Sequence, residues 1–84
     1  MEIEDRLEKV SNTDDFIDFV YHLIRDFKTN TKEWENTSLE DYLNGIASWV
    51  EDYNELFSES AENPLKDINW NLVATILFTG SRYE

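Results

Sequence analysis

The feature that most constrains the fold is a helical repeat of apolar residues in a stretch without positive charge. Apolar side chains recur there every three or four residues, which is the period of an α-helix and not the alternation of a strand. The pattern predicts an amphipathic helix over about residues 39–58, whose apolar side holds the fold. The residues on that side are Leu39, Tyr42, Leu43, Ile46, Trp49, Val50, Tyr53 and Phe57.

The acidic residues of this predicted helix fall on the opposite side. From Glu33 to Pro64 the chain has nine acidic residues and no Lys or Arg. Like charges one helical turn apart destabilise a helix slightly, so helix stability alone does not account for the pattern. A strongly charged surface keeps a small protein in solution, which is the simplest explanation. The alternative is a partner-binding surface, with Glu40, Asp41, Glu51, Asp52 and Glu55 as its candidate residues.

Two helices are expected before this one. Apolar residues recur at helical spacing over about residues 14–28, and Ser11 or Thr13 is placed to cap the first turn. Residues 2–9 carry a single narrow apolar stripe, which predicts a short helix or an arm.

The last predicted helix, residues 69–80, is apolar around most of its circumference. Asp67 or Asn69 is placed to cap it. A helix of this kind is either central to a bundle or covered by a second copy of the chain. Its β-branched residues leave a strand over residues 72–79 as an alternative. The fold class expected is therefore all-α, a single domain over residues 1–84 with three main helices and a short N-terminal helix or arm.

Two residues between and within these helices need a local explanation. Trp34 lies in a polar connector, where it either covers the core or forms an exposed contact for a partner. Gly45 interrupts the apolar repeat, and we interpret it as a mid-helix glycine that costs about 1 kcal/mol relative to alanine. A close approach by another helix would explain it. Residues 58–67 read as a loop by composition, and Pro64 marks it.

Composition limits the class of protein. A chain of 84 residues is expected to form one domain, and five Phe, four Tyr and three Trp provide enough apolar area to argue against disorder. There is no cysteine, which excludes disulfides and zinc–thiolate sites. The N-terminus is charged from the second residue and no long apolar run occurs, so neither a signal peptide nor a membrane contact is expected, and the cytoplasm is the expected compartment.

The sequence offers little for catalysis. His22 is the single histidine, and no serine lies in a nucleophile motif that would use it. Asp52, Glu55 and Glu59 have a spacing that could approach a divalent cation, but no calcium-binding loop surrounds them. We expect no enzymatic activity, no catalytic residue, no cofactor and no metal.

The net charge of −12 favours some classes of partner over others. Direct binding to nucleic acid is disfavoured because phosphates would be repelled. We expect a protein partner with a basic surface, as for an immunity protein that inhibits a toxin, with Trp34 or Tyr53 as an aromatic contact. The alternatives are a phage or mobile-element inhibitor that mimics DNA, and a structural domain that forms a homodimer through the last helix.

The second half of the chain resembles a family of short, acidic, uncharacterised bacterial proteins. The resemblance covers about residues 14–84, and its most specific parts are the Trp-Glu-Asn connector and the Tyr-Glu end. It implies a bacterial origin and a compact helical fold, and it implies no activity. The residues that carry it are Trp34-Glu35-Asn36, Leu39, Tyr42-Leu43, Trp49, Asp52, Trp70, Ala74, Ile76-Leu77 and Tyr83-Glu84.

Overall fold

A computed structural model of the chain describes residues 3–57 and 62–83, and within those ranges every regular element is a helix. The predicted all-α class is confirmed, and the strand alternative for residues 72–79 is wrong. A short 3-10 helix, Thr31–Glu33, follows the second α-helix. The α-helices are α1 (Ile3–Glu8), α2 (Thr13–Thr29), α3 (Leu39–Leu56) and α4 (Trp70–Gly80).

Polar side chains start three of these helices. Asn12 caps α2, because its Oδ1 accepts the Asp15 N–H at 2.8 Å. The sequence pattern predicts Ser11 or Thr13 as the cap, and the correct residue lies between them. Ser11 instead donates both its N–H and its Oγ–H to the Asp15 carboxylate, at 3.2 and 3.1 Å. Three consecutive polar residues can each cap a helix, so composition alone does not choose among them.

Ser38 and Asn69 start the other two helices, and Asn69 is one of the two caps that the sequence predicts for α4. The Ser38 hydroxyl accepts the Asp41 N–H at 3.1 Å at the start of α3. Asn69 caps α4, where its Oδ1 accepts the Leu72 N–H at 3.0 Å.

The chain divides into two compact units, Met1–Gly45 and Ile46–Glu84, and each is described by itself. The boundary falls within α3, which is continuous through it. The prediction of a single domain over residues 1–84 stays a prediction.

In the first unit, α1 packs on α2. Arg6 Nη1 lies 3.5 Å from Asp18 Oδ2 in a partly exposed ion pair, and such pairs contribute about 0–1 kcal/mol. Phe19, Leu23 and Phe27 form the more buried side of α2.

The connector before α3 explains Gly45. A Cβ atom at this position would lie 2.7 Å from Asn36 Nδ2, closer than non-bonded atoms approach. The close approach therefore comes from the connector and not from another helix.

The second unit is organised around Leu65, which is 8% exposed and is the most buried hydrophobic residue of the described chain. It lies in a turn in which Asn63 O accepts the Lys66 N–H at 3.1 Å and Asn63 Oδ1 accepts the Leu65 N–H at 2.9 Å. Pro64 occupies the second position of this turn, where its fixed φ is favourable. Trp70 Nε1 donates to Leu65 O at 3.2 Å and so ties the turn to the start of α4.

The apolar stripe of α3 is only partly covered. Its half-buried members are Tyr42, Ile46, Val50, Tyr53 and Phe57. The pattern predicts Trp49 in the core, and this is wrong because its side chain is 58% exposed. Leu39 and Leu43 are also exposed. Trp49 lies at the edge of the stripe, where a small shift of the helix about its axis exposes a residue that the pattern places inside.

The contact between Asn36 and Gly45 predicts a non-additive pair of substitutions. Gly45→Ala should gain helix propensity worth about 1 kcal/mol, less the cost of displacing the Asn36 amide. In an Asn36→Ala background the full gain should appear. Urea unfolding of the four proteins measures this difference, and equal gains in both backgrounds would show that the contact is not formed.

Candidate functional site

Three exposed carboxylates lie on the C-terminal half of α3, and we call Glu51, Asp52 and Glu55 the acidic surface. Among residues 3–57 and 62–83, none of the three forms an ion pair. The last turn of α3 carries no basic residue, although cations are favoured at that end of a helix. No basic side chain in the last turn of α3 therefore offsets the negative charge of these three residues.

Two exposed apolar side chains border the acidic surface. Trp49 and Leu56 lie three residues before and four residues after Asp52, so all three fall on one side of the helix. Trp49 is 58% and Leu56 74% exposed. A large aromatic ring beside charged groups is the composition that binding hot spots favour.

Stacking along the helix holds the Trp49 ring in place. Its ring lies nearly parallel to that of Tyr53, with centroids 4.6 Å apart and an interplanar angle of 18°. Tyr53 in turn meets Phe57 edge to face at 4.9 Å. The ladder uses one face of the Trp49 indole and leaves more than half of its surface to solvent. Tyr53, the second aromatic contact that the sequence suggests, is half-buried in this ladder.

Trp34, which the sequence places among the partner-binding residues, is half-buried. Its Nε1 donates to Asp26 Oδ2 at 2.8 Å. Its ring meets Phe27 edge to face at 5.0 Å and stacks on Tyr42 at 6.1 Å. Trp34 therefore packs against the helices of the first unit, and its role in binding a partner stays a prediction.

Asp26 is the acceptor that holds this arrangement. Asn30 Nδ2 donates to Oδ1 at 2.9 Å, and Trp34 donates to Oδ2. The hydrogen bond from Asn30 and then that from Trp34 lower the pKa of Asp26 below its usual value. The sequence pattern does not reveal Asp26, because its partner Trp34 lies eight residues away across a connector whose path no helical pattern predicts.

Glu40 and Asp41, the other two predicted residues, lie in the first turn of α3 and in the first unit. Both are exposed. Acidic side chains in this turn stabilise a helix through its dipole, and Asp41 is also bonded through its N–H to Ser38. They therefore have a local explanation that the acidic surface lacks, and their role in binding is untested.

The single histidine and the acidic residues were the sequence's candidates for catalysis and metal binding. His22 Nδ1 lies 2.9 Å from Asp18 O, an ordinary contact one turn along the helix. Within 3–57 and 62–83, no three His, Asp or Glu residues are grouped closely enough to hold a metal ion. The sequence also suggests that Asp52, Glu55 and Glu59 could approach one cation, and Glu59 lies outside the described residues. Of the helices in the described ranges, none has the length and apolar character to cross a membrane.

The first unit also has an open apolar cavity of about 430 Å³ between α2 and the connector. Ile24, Phe27, Trp34, Leu39 and Tyr42 are among its lining residues. No carboxylate, histidine, lysine or arginine lines it, so it offers apolar contact and little acid–base chemistry.

A comparison with protein families matches residues 12–84, from the cap of α2 to the end of the chain. The chain belongs to the family of unknown function DUF7660. This confirms the resemblance at the level of the family, and α1 lies before the matched region. No match was found among curated proteins or among solved structures.

The lowered pKa of Asp26 predicts a pH effect on stability. The carboxylate is favoured in the folded state, so its contribution is present above the unfolded pKa of Asp26 and is lost as the pH falls through the lower, folded pKa. Asp26→Asn should be less stable than the wild type at neutral pH, and the difference should shrink in acid.

Thermal unfolding of both proteins from neutral to acidic pH measures this difference. Glu35→Gln, at an exposed position in the connector of the same unit, is the control for removing one charge. If the unfolding temperatures of the wild type and Asp26→Asn differ by the same amount at every pH, the Asp26 carboxylate does not stabilise the fold in the way described.

Proposed function

We propose that the chain is a non-enzymatic protein-binding module that uses the acidic surface of α3 against a basic partner. The observation that carries the proposal is the exposure of Glu51, Asp52 and Glu55 without an ion-pair partner among the described residues, beside an exposed Trp49.

The two kinds of side chain have complementary effects in this proposal. Exposed charges contribute little affinity by themselves, but they speed encounter with a surface of opposite charge and set its orientation. Burying Trp49 and Leu56 supplies the affinity that the charges lack, since large apolar side chains dominate binding energy. A basic patch with an apolar depression at its centre is the surface that fits.

The partner class follows from the charge. Proteins that bind nucleic acid present basic surfaces, and an acidic helix can block such a surface by occupying it. The proposal is an immunity-like inhibitor of a toxin, acting in the cytoplasm of a bacterium. A phage or mobile-element inhibitor that mimics DNA would use the same surface, and the identity of the partner separates the two.

Charge reversal of the acidic surface tests the proposal. Glu51→Lys, Asp52→Lys and Glu55→Lys together should weaken binding to the partner about 100-fold, because three attractive contacts become repulsive. The matched control is Glu4→Lys, Asp5→Lys and Glu8→Lys on α1, which changes the net charge equally at another place on the chain. Proteins captured from a cell lysate by wild type and control, but not by the α3 variant, identify the partner for affinity measurements.

Two further results bear on the proposal. Affinity should fall as salt rises, since screening weakens the attraction. Trp49→Ala should weaken binding by about 10-fold or more while leaving the salt dependence unchanged. If wild type, α3 variant and α1 control capture the same proteins with equal affinity, the acidic surface has no part in binding.

A further inference from the structure

The indole ring of Trp49 has one face covered and one face open. Tyr53 stacks on it, with the ring centroids 4.6 Å apart and the ring planes 18° from parallel. Trp49 is nevertheless 58% exposed, so within the described chain the other face of its ring lies in solvent. The face of an aromatic ring is negative and attracts a cation, and tryptophan attracts it most strongly. The open face of Trp49 is therefore a binding surface for a cation as well as for apolar groups.

A free carboxylate lies beside this ring. Asp52 follows Trp49 by one helical turn, and residues three apart are neighbours on the surface of a helix. Asp52 is exposed, and among residues 3–57 and 62–83 its carboxylate has neither an ion pair nor a hydrogen bond. An aromatic face and an unpaired negative charge thus adjoin each other on one side of α3.

The second unit already contains one contact between a cation and a ring. The guanidinium carbon of Arg82 lies 4.9 Å from the centroid of the Phe78 ring, at the end of α4. This contact forms although α4 itself carries no carboxylate. Trp49 has no basic side chain of the described ranges over its ring, and it has beside it the carboxylate that Phe78 lacks.

We propose that the basic partner places an arginine side chain on Trp49, with the guanidinium on the open face of the indole and its N–H groups donating to Asp52. This rests on the proposed function and names the kind of residue that the acidic surface selects. A guanidinium is planar and weakly hydrated, so it stacks on a ring while the N–H groups at its edge reach a carboxylate. A lysine ammonium is compact and strongly hydrated, and it cannot make both contacts in this way.

Two short peptides of equal charge test the proposal, N-acetyl-triarginine amide and N-acetyl-trilysine amide. Each is titrated into isotopically labelled protein, and the backbone N–H resonance of Asp52 and the three indole N–H resonances are followed by NMR. The arginine peptide should bind about fivefold more tightly than the lysine peptide. It should shift the indole resonance of Trp49, which is the one that Trp49→Leu removes. The indole N–H of Trp34, which is bonded to Asp26, should not shift.

Three substitutions separate the contribution of the ring from that of the charge. Trp49→Leu should bind the two peptides with equal affinity, because the carboxylates remain and the ring does not. Trp49→Phe should keep part of the preference for arginine, since phenylalanine attracts a cation more weakly. Asp52→Asn should weaken the binding of the arginine peptide more than Asp5→Asn, which removes one exposed charge from α1. Far-UV circular dichroism checks that each variant retains its helices.

Equal affinity of the wild type for the two peptides overturns the proposal, and so does a preference for arginine that Trp49→Leu retains. Equal shifts of the Trp34 and Trp49 indole resonances also overturn it, because binding is then not confined to Trp49. The proposed function is tested separately, by capture of the partner with the charge-reversed α3 variant. A partner that is lost on charge reversal, together with equal affinity for the two peptides, would refute the arginine contact and leave the proposed function standing.

Discussion

The hydrogen bond from Trp34 to Asp26 is the interaction on which the first unit depends. A half-buried indole N–H needs an acceptor, and the Asp26 carboxylate supplies it at 2.8 Å. This bond holds the connector against α2 and brings Trp34 between Phe27 and Tyr42. Because Tyr42 then faces the connector, the acids of the first turn of α3 face other directions. A connector that composition marks as polar is therefore part of the packing.

The helices could be predicted because their signal is local. An apolar repeat of 3.6 residues runs along α2 and α3, and the caps Ser38 and Asn69 each bond to a backbone N–H three residues later in the chain. The contacts that hold the units could not be predicted in this way. Leu65 is a buried residue within a turn whose composition is that of a loop, and Asp26 meets Trp34 through the path of the connector.

The candidate site was predicted only in part. The acids were placed correctly and the tryptophans were not, and this outcome has a physical reason. The acids Glu51, Asp52 and Glu55 are exposed as their positions on the helix require. The helical wheel places Trp49 in the core and gives no position for Trp34, because it ranks residues by angle and does not include the partners that they contact.

The two tryptophans differ in those partners. Trp34 contacts an acceptor and two rings, whereas Trp49 stacks on Tyr53 of its own helix and keeps more than half of its surface in solvent. The exposed Trp49 ring adds an apolar side chain to the edge of the acidic surface.

The account rests most directly on Trp49 being exposed in a negative environment. The difference in fluorescence between the wild type and Trp49→Phe isolates the contribution of Trp49 and leaves Trp34 and Trp70 in place, and its quenching by ions of either sign can be followed at low ionic strength. Caesium should be concentrated near the carboxylates and iodide repelled, so caesium should quench Trp49 more effectively relative to free tryptophan, and iodide less. If neither ion quenches Trp49, or if iodide reaches it as readily as it reaches free tryptophan, the proposed surface does not exist.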